Sequence, residues 1–68
     1  MSQQFKNALV TGASKGVGRG IALGLAKDGW NVGVNYFQDQ PGAESTAESI
    51  RSLDRQAWLL QADLESLH

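Results

Sequence analysis

Residues 11–18 read Thr-Gly-Ala-Ser-Lys-Gly-Val-Gly, and their glycines are spaced as G-x-x-x-G-x-G between two segments of different periodicity. Before them, an apolar run at 7–11 is stopped by a glycine, as is typical of a strand buried on both faces of a parallel sheet. After them, apolar residues recur every four positions from Val17 to Leu25, which predicts a helix over 16–28. The glycine-rich stretch is therefore predicted to connect a buried strand to an amphipathic helix.

The remainder of the chain repeats this alternation. A strand is predicted at 31–37 from its β-branched residues at alternate positions, a helix at 43–55 after turn residues, and a third strand at 56–63. Trp30 and Trp58 are interpreted as packing residues, since large aromatic side chains dominate small cores. The order β-α-β-α-β predicts parallel strands joined by right-handed crossovers, which is the first part of a doubly wound α/β fold.

The composition argues against several classes of partner and site. With 68 residues, six Lys and Arg, seven Asp and Glu and a net charge of -1, the chain has no sequence-wide basic field, so we expect no nucleic-acid partner. It has no cysteine and its one histidine is His68, which argues against disulfides and against a metal site. No apolar run approaches the roughly 18 residues of a membrane span, and the start at 1–5 is polar. We therefore expect one partial domain over 1–68, located in the cytoplasm and away from membranes.

The loop at 11–18 has the chemistry to hold a phosphate. Its three glycines suit a tight turn and a closely approachable backbone, and the start of the following helix offers free N–H groups to an anion. Thr11 and Ser14 can supply hydroxyl contacts, and Lys15 and Arg19 supply positive charge. The alternative is that the glycines merely permit a sharp strand-to-helix connection and that the cations are solvated.

Two commoner phosphate-binding patterns do not fit this loop. The dinucleotide fingerprint G-x-G-x-x-G would need a glycine at Ile21 or at Leu23. The P-loop needs Gly-Lys followed by Ser or Thr, where this chain has Ser14-Lys15-Gly16. An ATPase or GTPase is therefore disfavoured.

The stretch from Thr11 to Gly18 resembles the T-G-x-x-x-G-x-G cofactor motif of short-chain dehydrogenases/reductases, and the resemblance extends from Lys6 through Leu64. It implies a Rossmann-type doubly wound parallel sheet in which the loop binds the pyrophosphate and adenosine part of NAD or NADP. It also implies that Asp63, at the end of the third strand, lies beside the adenine, although on sequence alone this acid could equally cap a helix or be solvated. The cofactor contacts that the resemblance implies are Gly12, Ser14, Lys15, Gly16, Val17, Gly18, Asn35, Tyr36, Asp63 and Leu64.

The resemblance favours NADP(H) over NAD as the cofactor. Members that prefer NAD carry an acid at the end of the second strand, where it accepts hydrogen bonds from the ribose hydroxyl, and here that place holds the neutral Asn35 and Tyr36. The nearest acid, Asp39, lies three residues further on, where it could hydrogen-bond its own backbone. Lys15, just before the second glycine, resembles the basic residue that NADP-preferring members direct at the 2'-phosphate.

The catalytic residues of the resembled family are not expected in this chain. Members reduce carbonyls or oxidise alcohols with a Tyr-x-x-x-Lys pair, an upstream Ser and usually an Asn, all in a later part of a longer chain. The one tyrosine here, Tyr36, has Gln40 four residues later, so no proton donor of that kind is present within these 68 residues. The resemblance implies that a full-length form would act on a small-molecule carbonyl or alcohol. Members are commonly tetramers through late helices, so a homo-oligomer is one possibility for such a form, and none of these 68 residues decides it.

Three interpretations of the function stay open. The first is the cofactor-side part of a full-length NADP-dependent reductase, most similar to the 3-oxoacyl-carrier-protein reductase-like group through its Val-Asn-Tyr at 34–36. The second is a non-catalytic dinucleotide-binding or subunit-docking module that uses the open edge of the first strand. The third is a flavodoxin-like module that holds a mononucleotide phosphate, against which the glycine spacing and Asp63 argue.

Overall fold

The structure is a computed structural model that describes residues 6–63. Its elements alternate as the sequence predicts: β1 (Asn7–Val10), α1 (Gly16–Lys27), β2 (Asn31–Tyr36), α2 (Gln40–Arg51) and β3 (Ala57–Gln61). Each of the two helices has 12 residues, and nothing within 6–63 forms a helix long and apolar enough to cross a membrane. Of the residues singled out above, Leu64 lies outside the described part of the chain.

The three strands form one parallel sheet in the order β1-β2-β3. The register aligns Val10 with Val34 in the first pair and Tyr36 with Gln61 in the second, so all three strands end at the same edge of the sheet. Each right-handed crossover moves one strand further in the same direction, which places both helices on one face. The helices accordingly pack against each other and against β2. The predicted α/β fold is confirmed.

The core lies between the sheet and this helical layer. Val32 and Val34 project from alternate positions of β2 toward the helices and are fully buried. They meet Ile50 of α2 and small side chains such as Ala22 of α1 and Ala47 of α2, all of which have no exposed surface. Alanines on the inner helix faces let both helices approach the sheet closely, and this packing fixes where their first turns lie.

The opposite face of the sheet is exposed within the described residues. Leu9, Trp58 and Leu60 lie on it, because each is in register with Gly33 or Asn35, the β2 residues that point away from the helices. Trp58 keeps 47% of its surface exposed, so its interpretation as a packing residue is wrong for the structure of 6–63. Trp30 is partly buried against the core, as expected.

The second helix differs most from its predicted bounds. It begins at Gln40 instead of residue 43, because Asp39 accepts a hydrogen bond from the Gly42 N–H at Oδ1 (3.1 Å) and Pro41 occupies the first turn. It ends at Arg51, four residues before the predicted end, and is followed by Asp54 in the left-handed region with φ 65°. Residues with turn chemistry therefore form the start of the helix instead of a separate loop.

Candidate functional site

The connection between β1 and α1 turns twice through glycine. Gly12 has φ +60° and Gly16 has φ +63°, values that residues with a side chain rarely adopt. Both glycines are exposed at the carboxyl end of the sheet. The expectation of a tight turn at Gly12 is confirmed, and the same requirement holds at Gly16.

Gly18 serves a different purpose, which is close packing. A Cβ atom at this position would collide with the carbonyl oxygen of Gly12 and would lie 2.8 Å from its carbonyl carbon. The backbone approach predicted at Gly18 is therefore made to the chain's own loop. This contact seats the first turn of α1 directly on the turn at Gly12.

The N-terminus of α1 is left open by the described residues. Lys15 is the N-cap in an extended conformation, its side chain makes no capping hydrogen bond, and the first turn of the helix contains no acid. The first N–H groups of a helix have no acceptor within the helix and carry a partial positive charge. By contrast, α2 is capped by Asp39. Lys15 and Val17 are both exposed at the open end, Val17 by 81%, so the loop fits an anionic group such as a pyrophosphate.

Beneath this open end, the middle of the loop is buried and held on two sides. The Ala13 N–H donates to the Asn35 carbonyl of β2 at 2.9 Å, and the Ala13 carbonyl accepts from Thr46 Oγ1 of α2 at 2.9 Å. Ser14, predicted as a cofactor contact, is buried, and a Cβ at Gly42 would lie 2.7 Å from its carbonyl oxygen. Both β2 and α2 therefore hold the loop in place.

Thr46 was missed by sequence reasoning. It is the one hydroxyl residue on the inner face of α2 that has no exposed surface, among alanines and Ile50. A polar residue at a core position of an amphipathic helix needs a buried partner, and that signal could have identified it. The hydroxyl lies within hydrogen-bond distance of the loop carbonyl of Ala13 (2.9 Å) and of the Gly42 carbonyl in its own helix (3.1 Å).

The side chain of Asn35 lies below the loop, between β1 and β3. Its Oδ1 accepts from the Gly12 N–H at 3.2 Å, and its Nδ2 donates to the carbonyls of Leu60 and Ala62, each at 3.2 Å. Asp63 follows directly and is partly buried at the same edge of the sheet. The fold thus brings the glycine loop and the Asp63 segment together, as their places at the carboxyl ends of parallel strands predict.

Two further predicted positions flank this edge. Tyr36 is buried among the core residues with 6% of its surface exposed, and its carbonyl accepts from the Ala62 N–H at 2.9 Å. The next residue, Phe37, is exposed. On α1, Arg19 donates from Nη1 to Ser45 Oγ of α2 at 3.3 Å, so its guanidinium is directed toward α2.

Comparison with known proteins identifies this arrangement. The profile of the short chain dehydrogenase family matches residues 6–68. The 3-oxoacyl-(acyl-carrier-protein) reductase FabG of Staphylococcus epidermidis is 48% identical over 59 residues, which are 87% of this chain and 24% of that protein.

Solved structures agree with the sequence comparison. Acetoin dehydrogenase from Enterobacter cloacae superimposes with a TM-score of 0.92 at 33% identity, over 98% of this chain and 27% of its own. The landomycin C-6 ketoreductase LanV, solved with bound NADP and rabelomycin, superimposes with a TM-score of 0.85 at 42% identity, over 91% of this chain and 25% of its own. The chain spans about a quarter of the length of these relatives. It belongs to the short chain dehydrogenase family.

Proposed function

We propose that this chain forms the NADP(H)-binding part of a reductase that transfers hydride between NADPH and a carbonyl or alcohol substrate. The observation that carries the proposal is the open N-terminus of α1, placed on a glycine turn at the carboxyl end of the sheet. The proposed domain is the first part of a Rossmann-type unit over 1–68. The relatives named above are reductases and a dehydrogenase, which supports a 3-oxoacyl reductase-like activity over a non-catalytic module.

In this proposal the pyrophosphate is bound by the backbone between Gly12 and Gly18. The first-turn N–H groups of α1 would donate to its oxygens, since the N-cap side chain does not occupy them and the first turn carries no acid. Asp63, at the edge next to the loop, would lie on the adenosine side. Bound NADPH would supply the hydride, and these residues would bind and orient it.

The preference for NADP over NAD is proposed from charge. Asp39, the acid nearest to the end of β2, has its carboxylate bound to the Gly42 N–H and so caps α2. Asn35 and Tyr36 at the strand end are neutral, whereas Lys15 at the mouth of the loop is exposed and cationic. A 2'-phosphate would therefore meet a positive charge at Lys15, and a charge-assisted contact of this kind is among the stronger hydrogen bonds.

Proton transfer to the substrate is assigned to residues outside this chain. The sequence contains no Tyr-x-x-x-Lys pair, and none of the cofactor-binding residues proposed above is a proton donor of that type. Turnover, substrate binding and homo-oligomer formation are accordingly proposed for a longer protein. A cytoplasmic location remains a prediction from the sequence.

The test is a titration of the protein with NADPH and with NADH, in parallel with the variants Lys15→Gln and Lys27→Gln. Both lysines are exposed and lie at opposite ends of α1, so the second variant controls for loss of charge alone. Loss of one charged hydrogen bond, worth about 1.5–3 kcal/mol, should weaken NADPH binding by about tenfold or more in Lys15→Gln. NADH binding, and both ligands in Lys27→Gln, should change little. Tighter binding of NADH than of NADPH by the unsubstituted protein would overturn the preference.

A further inference from the structure

Asn35 is almost fully buried, with 4% of its surface exposed, and its amide makes three hydrogen bonds to main-chain groups. The orientation of the amide follows from the partners, since the Gly12 N–H can only donate and the carbonyls of Leu60 and Ala62 can only accept. Both amide hydrogens are used within the protein. The side chain therefore has no donor left for a ligand.

These bonds join two strands that do not touch. Because the sheet order is β1-β2-β3, the backbone of β2 separates the segment after β1 from the segment after β3. The Asn35 side chain crosses this gap directly, from Gly12 on one side to Leu60 and Ala62 on the other. It thereby ties the proposed phosphate-binding turn to the segment that carries Asp63.

The other end of β2 has a similar bridge that is remote from the loop. Asn31 donates from Nδ2 to Asn7 Oδ1 at 3.2 Å, and its Oδ1 accepts from the Gln56 N–H at 3.0 Å. It is the same residue type on the same strand, pointing to the same face and linking both flanking segments. Its side chain lies at the amino edge of the sheet and is more exposed than that of Asn35, so it provides a control for losing a side-chain bridge from β2 at a place remote from the loop.

We propose that Asn35 is a positioning residue that fixes the separation between the phosphate-binding turn and the adenosine-side segment, without contacting the cofactor itself. This inference rests on the proposed dinucleotide site and replaces the direct contact that the sequence resemblance implies for Asn35. A dinucleotide gains the most affinity from filling two subsites at once when their separation is preset to match the ligand. Loosening the link should therefore weaken the whole ligand more than either half.

The experiment uses the protein expressed from its complete reading frame, with the variants Asn35→Leu and Asn31→Leu. Leucine has the same branched arrangement of side-chain heavy atoms as asparagine, forms no hydrogen bond and adds no charge near a phosphate. Dissociation constants are measured for NADPH and for two half-ligands, adenosine and inorganic pyrophosphate. In Asn35→Leu we expect NADPH to bind about tenfold more weakly, and each half-ligand to change by less than about threefold. Asn31→Leu should leave all three constants near their original values.

A second measurement tests the hydrogen bonds of Asn35 in the absence of any ligand. Amide hydrogen exchange at Gly12 should accelerate by at least about tenfold in Asn35→Leu, because its acceptor is lost. Exchange at Val32, whose N–H donates to the Gln56 carbonyl, should not change. If Asn35→Leu does not fold, Asn35→Asp replaces it. This variant keeps the acceptor for Gly12 and loses both donors to the carbonyls of Leu60 and Ala62. The segment after β3 should then loosen, and exchange at Ala62, whose N–H donates to the Tyr36 carbonyl, should accelerate instead.

The outcomes separate the two proposals. Equal weakening of NADPH and of the half-ligands would show direct contact and overturn the positioning role, as would unchanged NADPH binding. If the unsubstituted protein binds neither NADPH nor NADH, the proposed function fails. The hydrogen-exchange rates then still decide whether Asn35 holds the turn at Gly12. An unchanged exchange rate of the Gly12 amide in Asn35→Leu would refute that role.

Discussion

Replacing Gly18 with alanine tests whether the first turn of α1 is seated on the loop as described. Alanine is normally the better helix residue, and at an exposed helical glycine it is expected to stabilise the protein by about 0.8–1 kcal/mol. At position 18 the added Cβ would collide with the carbonyl group of Gly12. The obstacle is backbone, which cannot move aside as the end of a flexible side chain can.

The stability lost through the collision at position 18 is obtained by comparison with Gly20→Ala. Gly20 lies two residues further along the same helix, and a Cβ there would meet no atom within 4 Å. Both substitutions gain similar helix propensity, so the difference between them isolates the steric cost, which is about 1–3 kcal/mol for overpacking. For a unit of this size, roughly 4–8 °C of melting temperature corresponds to 1 kcal/mol. Gly18→Ala should therefore melt roughly 5–20 °C below Gly20→Ala.

The assay is thermal unfolding followed by circular dichroism, with an NADPH titration of each variant at a temperature where both are folded. Relief of the collision moves the start of α1 away from the turn, so NADPH affinity should fall in Gly18→Ala and not in Gly20→Ala. Equal melting temperatures for the two variants would refute the close contact. If Gly18→Ala is less stable but binds NADPH as tightly as Gly20→Ala, the close contact is supported and its role in shaping the cofactor site is refuted.

Three further expectations follow from single contacts. Thr46→Val should lose about 1–3 kcal/mol of stability in urea unfolding, since the Ala13 carbonyl loses its buried donor. Thr46→Ser keeps the hydroxyl and should lose only about 0.8 kcal/mol for one methyl group. Equal losses of stability in the two variants would contradict this expectation. Asp39→Ala should cost about 1 kcal/mol through loss of the α2 cap, with the ratio of NADPH to NADH affinity unchanged; a changed ratio would place its carboxylate in the cofactor site. In a polypeptide of residues 1–68, acrylamide should quench Trp58 fluorescence more than that of Trp30, measured in single-tryptophan variants, and the reverse order would contradict the open sheet face.

The alternation of elements could be predicted because each segment carries its own periodicity. The strand at Asn31–Tyr36 and the helix at Gly16–Lys27 were found within one residue of their observed ends, since glycine or turn residues bound both. The turns at Gly12 and Gly16 follow from the same local chemistry. In these cases the deciding interactions lie within a few residues along the chain.

The rest depends on contacts between distant parts of the chain. Gln40, Pro41 and Gly42 have turn chemistry, and sequence alone does not show that the Asp39 carboxylate turns back to cap them as a helix. The role of Asn35 depends on partners 23 to 27 residues away along the chain, which no local pattern contains. Trp58 is an aromatic residue in a strand, and only the pairing register shows that it points away from both helices.

The exposed face and the position of the loop have one topological cause. The chain adds strands in one direction from β1, so right-handed crossovers place both helices on the same face and leave Leu9, Trp58 and Leu60 uncovered by 6–63. Among the described residues no strand pairs with the outer edge of β1, and strands added there in the opposite direction would carry their crossover helices on the other face. In doubly wound sheets, the point where the direction reverses is where ligands bind, at the carboxyl ends of the strands. The glycine loop follows β1 at that end, and we therefore expect that elements added on that side would both cover the exposed face and complete the proposed cofactor site.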